Sequence, residues 1–175
     1  INGLYWGMYT LHERPDDAFA AAYYGGNKSD YDVVKHGYNA VVEGDNIVAG
    51  SNVNYYALLG AASNYNLSVE TNYNRVCGML DIEDFIDYMI VNFYVGNRDW
   101  AHQNWYASFN RNDRHGRWRY HCWDTEWTLF LLNDDVTTNG DIGPPWPYDN
   151  AMGPTRVQKH LTANAEYRLL FADRL

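Results

Sequence analysis

The most regular pattern of apolar and polar positions lies between residues 81 and 96. Apolar side chains recur there at intervals of three and four residues, the spacing of one face of an α-helix; they are Ile82, Phe85, Ile86, Met89, Ile90 and Phe93. Asp81 stands where a helix cap belongs, and Glu83 and Asp84 complement the positive end of the helix. The pattern predicts an amphipathic helix that breaks at Gly96.

Two aromatic-rich segments after this helix predict a β-hairpin. Residues 105–109 and 117–123 favour strands, and the polar turn 110–116 separates them. Because the strands of a hairpin run in opposite directions, the end of the second returns to the start of the first. We therefore expect Asp124 to lie close to Asn104.

The first fifty residues contain shorter apolar segments. Residues 4–13 predict a buried strand of a hairpin, and residues 15–24 predict a short helix that Gly25-Gly26 ends. Residues 32–35 predict a second strand, and residues 41–45 a third strand or the loop after it.

Helical spacing prevails after residue 50. Residues 51–78 predict helices broken by Asn-rich turns, with a buried stripe of Tyr55, Leu58, Leu59, Tyr73, Val76 and Met79. Residues 133–154 form a polar loop rich in Gly and Pro, long enough to act as a lid or substrate loop. Residues 162–175 predict a final helix. Strands and helices together indicate an α+β fold.

Length and charge narrow the class of protein. The chain has 175 residues, the size of one domain, and we interpret it as a piece of a longer protein. Its 13 Lys and Arg against 22 Asp and Glu give a net charge of −9, which argues against a nucleic-acid partner and permits a basic one. No apolar run approaches the roughly 18 residues of a membrane helix. Cys77 and Cys122 could form a disulfide or remain two buried free thiols.

Asp99, Asn104 and Asp124 are the candidate chemical groups. Phosphoryl transfer needs a carboxylate near the attacking hydroxyl, oxygen ligands for Mg²⁺ or Mn²⁺, and a cation on the phosphates. Asp99 could be the base, and Asn104 and Asp124 the metal ligands. Lys35, at the end of a β-branched strand, could contact the phosphates. The interval of five residues from Asp99 to Asn104 matches the kinase catalytic loop.

A structural interpretation of the same residues stays open. Asp99 could cap a turn, Asn104 could satisfy a buried backbone group, and Asp124 could belong to a strand-ending turn. Lys35 could equally be an exposed lysine on an edge strand. His102, inside the loop, could orient Asp99 or a substrate, or be a simple polar loop residue.

Longer sequence blocks resemble the CotH family, the spore coat protein H kinases, which are atypical secreted or surface protein kinases. In chain order the blocks are NGLYWGMYTLHE (2–13), FIDY (85–88), NFYVGN (92–97), Asp99-Trp100 followed by Asn104, RWRY (117–120) and Trp123-Asp124. Two positions depart from the family pattern. Ala101 stands where Pro commonly follows Asp-Trp, and Glu126 stands where a second Asp is frequent.

The resemblance implies an atypical protein-kinase-like fold in a single domain over residues 1–175. Partial N-lobe-like strands would lie in residues 1–50, and a mainly helical C-lobe-like portion with the catalytic hairpin in residues 51–175. It also implies phosphoryl transfer from ATP, with Mg²⁺ or Mn²⁺, to Ser or Thr of a basic or Ser-rich protein substrate. The implied location is extracellular, on the cell surface or in the spore coat.

Carried over to this sequence, the resemblance implies that Asp99 is the catalytic residue and that Asn104 and Asp124 bind the metal. Lys35 is then a candidate contact to the ATP phosphates, with Glu13 as its acidic partner. Glu126 could supply a further metal oxygen. No nucleotide-covering glycine loop is identified in the sequence.

Two other functions fit parts of the sequence. In a carbohydrate-binding or carbohydrate-active domain, Asp99 and Asp124 would act as acid and base while tryptophans stack on sugar rings; these are Trp100, Trp105, Trp123 and Trp127. Tryptophans beside apolar strands more often belong to a core. The third hypothesis is a catalytically inert kinase-like module of a surface or coat protein, against which the intact Asp99, Asn104 and Asp124 argue.

Overall fold

The computed structural model describes Gly3 and residues 12–37, 46–129, 136 and 153–175. Helices and an antiparallel sheet combine in this part of the chain, which confirms the α+β class. The strands are β1 (Tyr31–Lys35), β2 (Ile47–Ala49), β3 (Trp105–Asn110) and β4 (Arg119–Cys122). The α-helices are α1 (Asp17–Tyr24), α2 (Val53–Ser63), α3 (Glu70–Cys77), α4 (Ile82–Tyr94), α5 (Pro154–Leu161) and α6 (Ala165–Arg174).

The strands form one sheet in the order β2-β1-β3-β4, and every neighbouring pair is antiparallel. Lys35 pairs with Tyr106, and Trp105 pairs with Cys122. The end of β1, the start of β3 and the end of β4 therefore lie at the same end of the sheet. Strand β1 comes from residues 1–50 and the hairpin from residues 51–175, so both portions contribute to this sheet.

The sheet separates two apolar clusters, because successive side chains of a strand point to opposite faces. Val34, Trp105 and Tyr120 belong to the larger cluster, which the helices α2 to α6 complete. Val33 and Tyr106 belong to a smaller cluster with Ala20 of α1. The larger core packs between the hairpin and α4, and it positions the loop that joins them.

Helix α4 confirms the amphipathic helix, since Ile82, Phe85, Ile86 and Met89 are all buried. The prediction that Asp81 caps it is only half right. Asp81 occupies the N-cap position, but its side chain makes no capping hydrogen bond. Its Oδ2 accepts instead from Nε and Nη2 of Arg119, at 3.0 and 2.9 Å. A guanidinium is a stronger partner for a carboxylate than a neutral backbone amide.

Most other elements agree with the sequence pattern. Helix α1 and strand β1 confirm the predictions at 15–24 and 32–35, α2 and α3 confirm the helices at 51–78, and α6 confirms the final helix. Strand β2 and helix α5 were not expected. Pro154, placed at the end of the predicted loop, is in fact the first residue of α5. Proline is favoured at a first helical position, which is the signal that the loop prediction overlooked.

Several predicted segments lie outside the described residues: the strand at 41–45 and most of the strand at 4–13 and of the loop at 133–154. His12 and Glu13 are described and are not in a strand.

Cys77 and Cys122 are both free, so the disulfide interpretation is wrong, and Cys122 is exposed rather than buried. Among the helices described, none combines the length and the apolar character needed to cross a membrane.

Candidate functional site

Two buried asparagines anchor the loop between α4 and β3. Asn97 donates through Nδ2 to Oδ1 of Asn92 at 2.9 Å, and Asn92 donates to the carbonyl oxygen of Tyr88 at 2.8 Å. Oδ1 of Asn97 accepts from the backbone N–H of Asp99 at 3.2 Å. The backbone of Asp99 is thereby tied to the last turns of α4. The sequence did not predict this role of Asn92 and Asn97, because no local pattern indicates what an asparagine side chain will contact.

Trp100 is a core residue. It is fully buried, donates through Nε1 to the hydroxyl of Tyr88 at 2.5 Å, and packs edge-on against Phe93 at 5.7 Å. Trp105 is buried as well. The proposal that four tryptophans stack on sugar rings is therefore wrong for Trp100 and Trp105, since neither presents a face to solvent.

Asp99 and Asn104, five residues apart, are in direct contact. Nδ2 of Asn104 donates to Oδ2 of Asp99 at 2.9 Å, and Nε2 of Gln103 donates to Oδ1 of the same carboxylate. His102 lies near by, with Nε2 at 3.6 Å from Oδ1 of Asp99. The side chain of Asp99 keeps 23% of its surface exposed. The carboxylate is thus oriented by two amides and still open to an incoming group.

The hairpin returns Asp124 to Asn104, as expected. Nδ2 of Asn104 lies 3.4 Å from the backbone carbonyl oxygen of Asp124. Two backbone hydrogen bonds, Arg98 N–H to the carbonyl of Trp127 and Leu129 N–H to the carbonyl of Val95, fasten the segment after β4 to the end of α4. These bonds hold the acidic segment beside the loop, and no local pattern in the sequence indicated them.

Three non-glycine residues of the site have a left-handed backbone. Their φ angles are 78° at Ala101, 56° at Asn104 and 55° at Asp124. Asn and Asp tolerate this region better than other residues with a side chain, whereas alanine is strained in it. Proline cannot adopt such an angle, because its ring holds φ near −65°. The conformation of this loop therefore excludes the proline that is common in the family at position 101.

Carboxylates concentrate negative charge at the site. A hydrogen bond to Glu126, partial burial and the charges of Glu126 and Asp99 raise the pKa of Asp124, while His12 opposes the shift. The pKa of Glu126 is lowered by its own backbone N–H and by the hydrogen bond from Asp124. A cation bound beside these two carboxylates would lower the pKa of Asp124 again, because it favours the ionised form.

The donor set fits a divalent cation that also binds phosphates. Mg²⁺ prefers oxygen ligands and is usually held by one or two carboxylates plus substrate phosphates and water. Asp124 would supply a carboxylate, and Asn104, whose Nδ2 is a donor, would supply Oδ1. Within the residues that the structure describes, no group of three or more His, Cys, Asp or Glu side chains is arranged to hold a metal by itself.

Lys35 is the last residue of β1, whereas Glu13 precedes α1. Lys35 ends β1 at the Asn104 end of the sheet, and the next residue, His36, accepts a hydrogen bond from the backbone N–H of Asn104 at 3.0 Å. Glu13 is exposed and accepts from the hydroxyl of Tyr23 at 2.8 Å. The contact of Lys35 with ATP and its pairing with Glu13 stay predictions.

A cleft lies on the face of the sheet that α1 covers, and none of Asp99, Asn104 and Asp124 lines it. It has a volume of about 210 Å³, and Asp81, Ser108 and Arg119 are among its lining residues. Oγ of Ser108 lies 2.8 Å from Nε2 of His121. Burial lowers the pKa of His121 to about 4, so the ring is neutral at pH 7. None of the residues predicted for phosphoryl transfer lines this cleft.

Comparison with known proteins assigns the family. The family model described as CotH kinase protein matches residues 1–175, the whole chain. No curated protein and no solved structure matches the chain. The full-length family match agrees with the order of the sequence blocks noted above. The chain therefore belongs to the CotH kinase family.

Proposed function

We propose that this chain transfers the γ-phosphoryl group of ATP to a Ser or Thr hydroxyl of a protein substrate. The observation that carries the proposal is the position of Asn104. Its amide reaches the carboxylate of Asp99 at 2.9 Å and the backbone of Asp124 at 3.4 Å. The contact of Asn104 with Asp99, and its approach to the backbone of Asp124, support the roles of base, amide ligand and carboxylate ligand that this chemistry requires.

Asp99 orients the substrate hydroxyl and accepts its proton as the oxygen attacks the γ-phosphorus. The bond from that phosphorus to the bridging oxygen of ADP breaks, and the products are a phosphate ester, ADP and one proton. The amides of Gln103 and Asn104 hold the carboxylate of Asp99 in one orientation. A positioned general base of this kind contributes about 10²- to 10⁴-fold to a rate.

Asn104 and Asp124 would hold Mg²⁺ or Mn²⁺, and Glu126 could add an oxygen. A bound divalent cation neutralises charge on the phosphate oxygens during transfer. Lys35 contacts the phosphates of ATP, and Glu13 is the candidate acidic partner of that lysine. A kinase-like arrangement, with N-lobe-like strands in residues 1–50 and a C-lobe-like portion in residues 51–175, is part of the same proposal.

The substrate is proposed to be a basic or Ser-rich protein outside the cell, on the cell surface or in the spore coat. The net charge of −9 supports a basic partner, since opposite charge speeds encounter. The location rests on the family name.

Isothermal titration of ATP and Mn²⁺ against the full-length protein tests the metal assignment. Asp124→Asn should lose metal-dependent nucleotide binding, whereas Asp99→Asn should bind normally and lose transfer by about 10²-fold or more. Asp113→Asn, at an exposed position in the hairpin turn, makes the same charge change away from the site and should behave like the wild type.

Unchanged binding in Asp124→Asn would disprove the metal assignment. Binding without any transfer, over a panel of basic and Ser-rich proteins, would instead support the inert kinase-like module.

A further inference from the structure

His36 lies where β1 ends and contacts the site from a distant part of the sequence. It is 6% exposed, and its Nδ1 accepts from the backbone N–H of Asn104 at 3.0 Å. A backbone N–H can only donate, so Nδ1 must carry a lone pair. The neutral imidazole therefore has its proton on Nε2.

The backbone N–H of Asn104 has no partner in the sheet, and the imidazole of His36 accepts its hydrogen bond instead. The pairing of β1 with β3 stops at Lys35 and Tyr106, and Asn104 precedes the first residue of β3. Asn104 has left the extended conformation, with φ at 56°, so its N–H cannot continue the ladder. Asn104 is also 6% exposed, and a buried N–H without a partner is strongly unfavourable. The imidazole ring supplies that partner.

The contact limits where the side chain of Asn104 can lie. Its backbone N–H is held by His36, and its Nδ2 is held by Asp99 at 2.9 Å and by the carbonyl of Asp124 at 3.4 Å. With the backbone and the amide nitrogen both held, the direction of Oδ1 is set. Without His36, the left-handed turn at Asn104 would lose the hydrogen bond that maintains it.

We infer that His36 is a positioning residue that aims the Oδ1 atom of Asn104 at the divalent cation. This inference rests on the proposed function, because it assumes that Asn104 is a metal ligand. Residues that hydrogen-bond to a metal ligand orient it and affect metal affinity without contacting the metal. Their loss costs about 10- to 100-fold in affinity or activity.

Three substitutions of His36 distinguish the effect of losing the acceptor atom from the effect of losing the volume of the ring. His36→Phe keeps a ring of similar size and removes the acceptor. His36→Asn places an amide oxygen near the position of Nδ1 and should restore most of the function. His36→Gln places its amide near the position of Nε2, one bond further out, and should not restore it.

The measurement is the affinity of the full-length protein for Mn²⁺ in the presence of ATP, with the melting temperature alongside. His36→Phe and His36→Gln should weaken Mn²⁺ binding by about 10- to 100-fold relative to the wild type and His36→Asn. In an Asn104→Ala background, His36→Phe should cause no further loss, because the effect passes through Asn104.

The outcomes distinguish this inference from the proposed function. A wild-type protein that binds no Mn²⁺ with ATP would contradict the proposed function itself. If the wild type binds and His36→Phe binds equally well, His36 has no positioning role. If His36→Phe does not fold, the comparison of Asn with Gln decides, and equal affinity in these two variants would overturn the inference.

Discussion

Asn104 donates through Nδ2 to Oδ2 of Asp99 at 2.9 Å, and so joins a proposed metal ligand to the proposed base. The two residues lie on a short loop, and the hydrogen bond closes that loop on itself. A change in the side chain of Asn104 should therefore affect both the metal and the orientation of the carboxylate.

Two substitutions distinguish the role of the Asn104 amide from the strain of its left-handed backbone. Asn104→Gly removes the amide but accommodates φ at 56°, whereas Asn104→Ala removes the amide and adds left-handed strain. Both variants should lose transfer by about 10²-fold or more. Asn104→Ala should also be less stable than Asn104→Gly by about 1 kcal/mol in urea unfolding. Equal stability, or the opposite order, would contradict the left-handed turn.

Ala101→Pro tests the conformation of the loop against the commoner family sequence. Because φ at Ala101 is 78° and proline requires about −65°, the substitution should cost about 3 kcal/mol or more of unfolding free energy. Ala101→Gly is the control, and it should be more stable than the wild type by about 1 kcal/mol, because glycine adopts positive φ without the strain of an alanine side chain. A stable and active Ala101→Pro protein would show that the loop adopts another conformation.

Gly50→Ala should destabilise the junction of β2 with α2. Gly50 has φ at +67°, and a Cβ atom there would lie 2.3 Å from Oδ1 of Asp32. That buried carboxylate accepts from the backbone N–H of Ser51 at 2.7 Å and from Nη1 of Arg111 at 3.0 Å, so it cannot move without losing both bonds.

The matched control is Gly96→Ala, because Gly96 also has positive φ, at +58°, but no atom lies within 4 Å of the added Cβ. Gly96→Ala should lose about 1 kcal/mol for backbone strain alone, and Gly50→Ala about 1 to 3 kcal/mol more. Equal losses in denaturant unfolding would show that the contact with Asp32 is not restrictive.

Asp84 should make the fold less stable as the pH rises. Burial, and then the charge of Asp81, raise the pKa of Asp84 from 3.8 to about 6, and its Oδ2 is buried without a hydrogen-bond partner. Between about pH 4 and pH 6 the folded state therefore holds more protons at this site than the unfolded state. Stability falls as the pH rises through this window, because ionised Asp84 is unfavourable in the folded protein.

Asp84→Asn should therefore be more stable than the wild type at pH 7, by about 1 kcal/mol, and should lose that advantage near pH 4. Asp87→Asn is the control of opposite sign. A hydrogen bond from Arg174 lowers the pKa of Asp87, so its contribution is present at neutral pH and is lost in acid. Urea unfolding at pH 7 and about pH 4 measures Asp84→Asn, and a further measurement near pH 3, below the usual pKa of 3.8, measures Asp87→Asn. An Asp84→Asn protein that is less stable than the wild type at pH 7 would refute the prediction.

Local sequence patterns determined a large share of this fold. The spacing of apolar residues identified α4, and the alternation of apolar runs with a polar turn identified the β3–β4 hairpin. The hairpin was enough to predict that Asp124 returns to Asn104, because antiparallel strands bring their outer ends together. The CotH blocks added the family, which the full-length match confirms.

Contacts between distant segments depended on the tertiary structure. Asn104 meets His36 across 68 positions of sequence, and Asp81 forms its hydrogen bonds with Arg119 instead of capping its own helix. Trp100 is a core residue rather than a surface platform. The reason is physical: periodicity records which face of an element is apolar, whereas the partner of a polar side chain is chosen by what packing brings within hydrogen-bond distance.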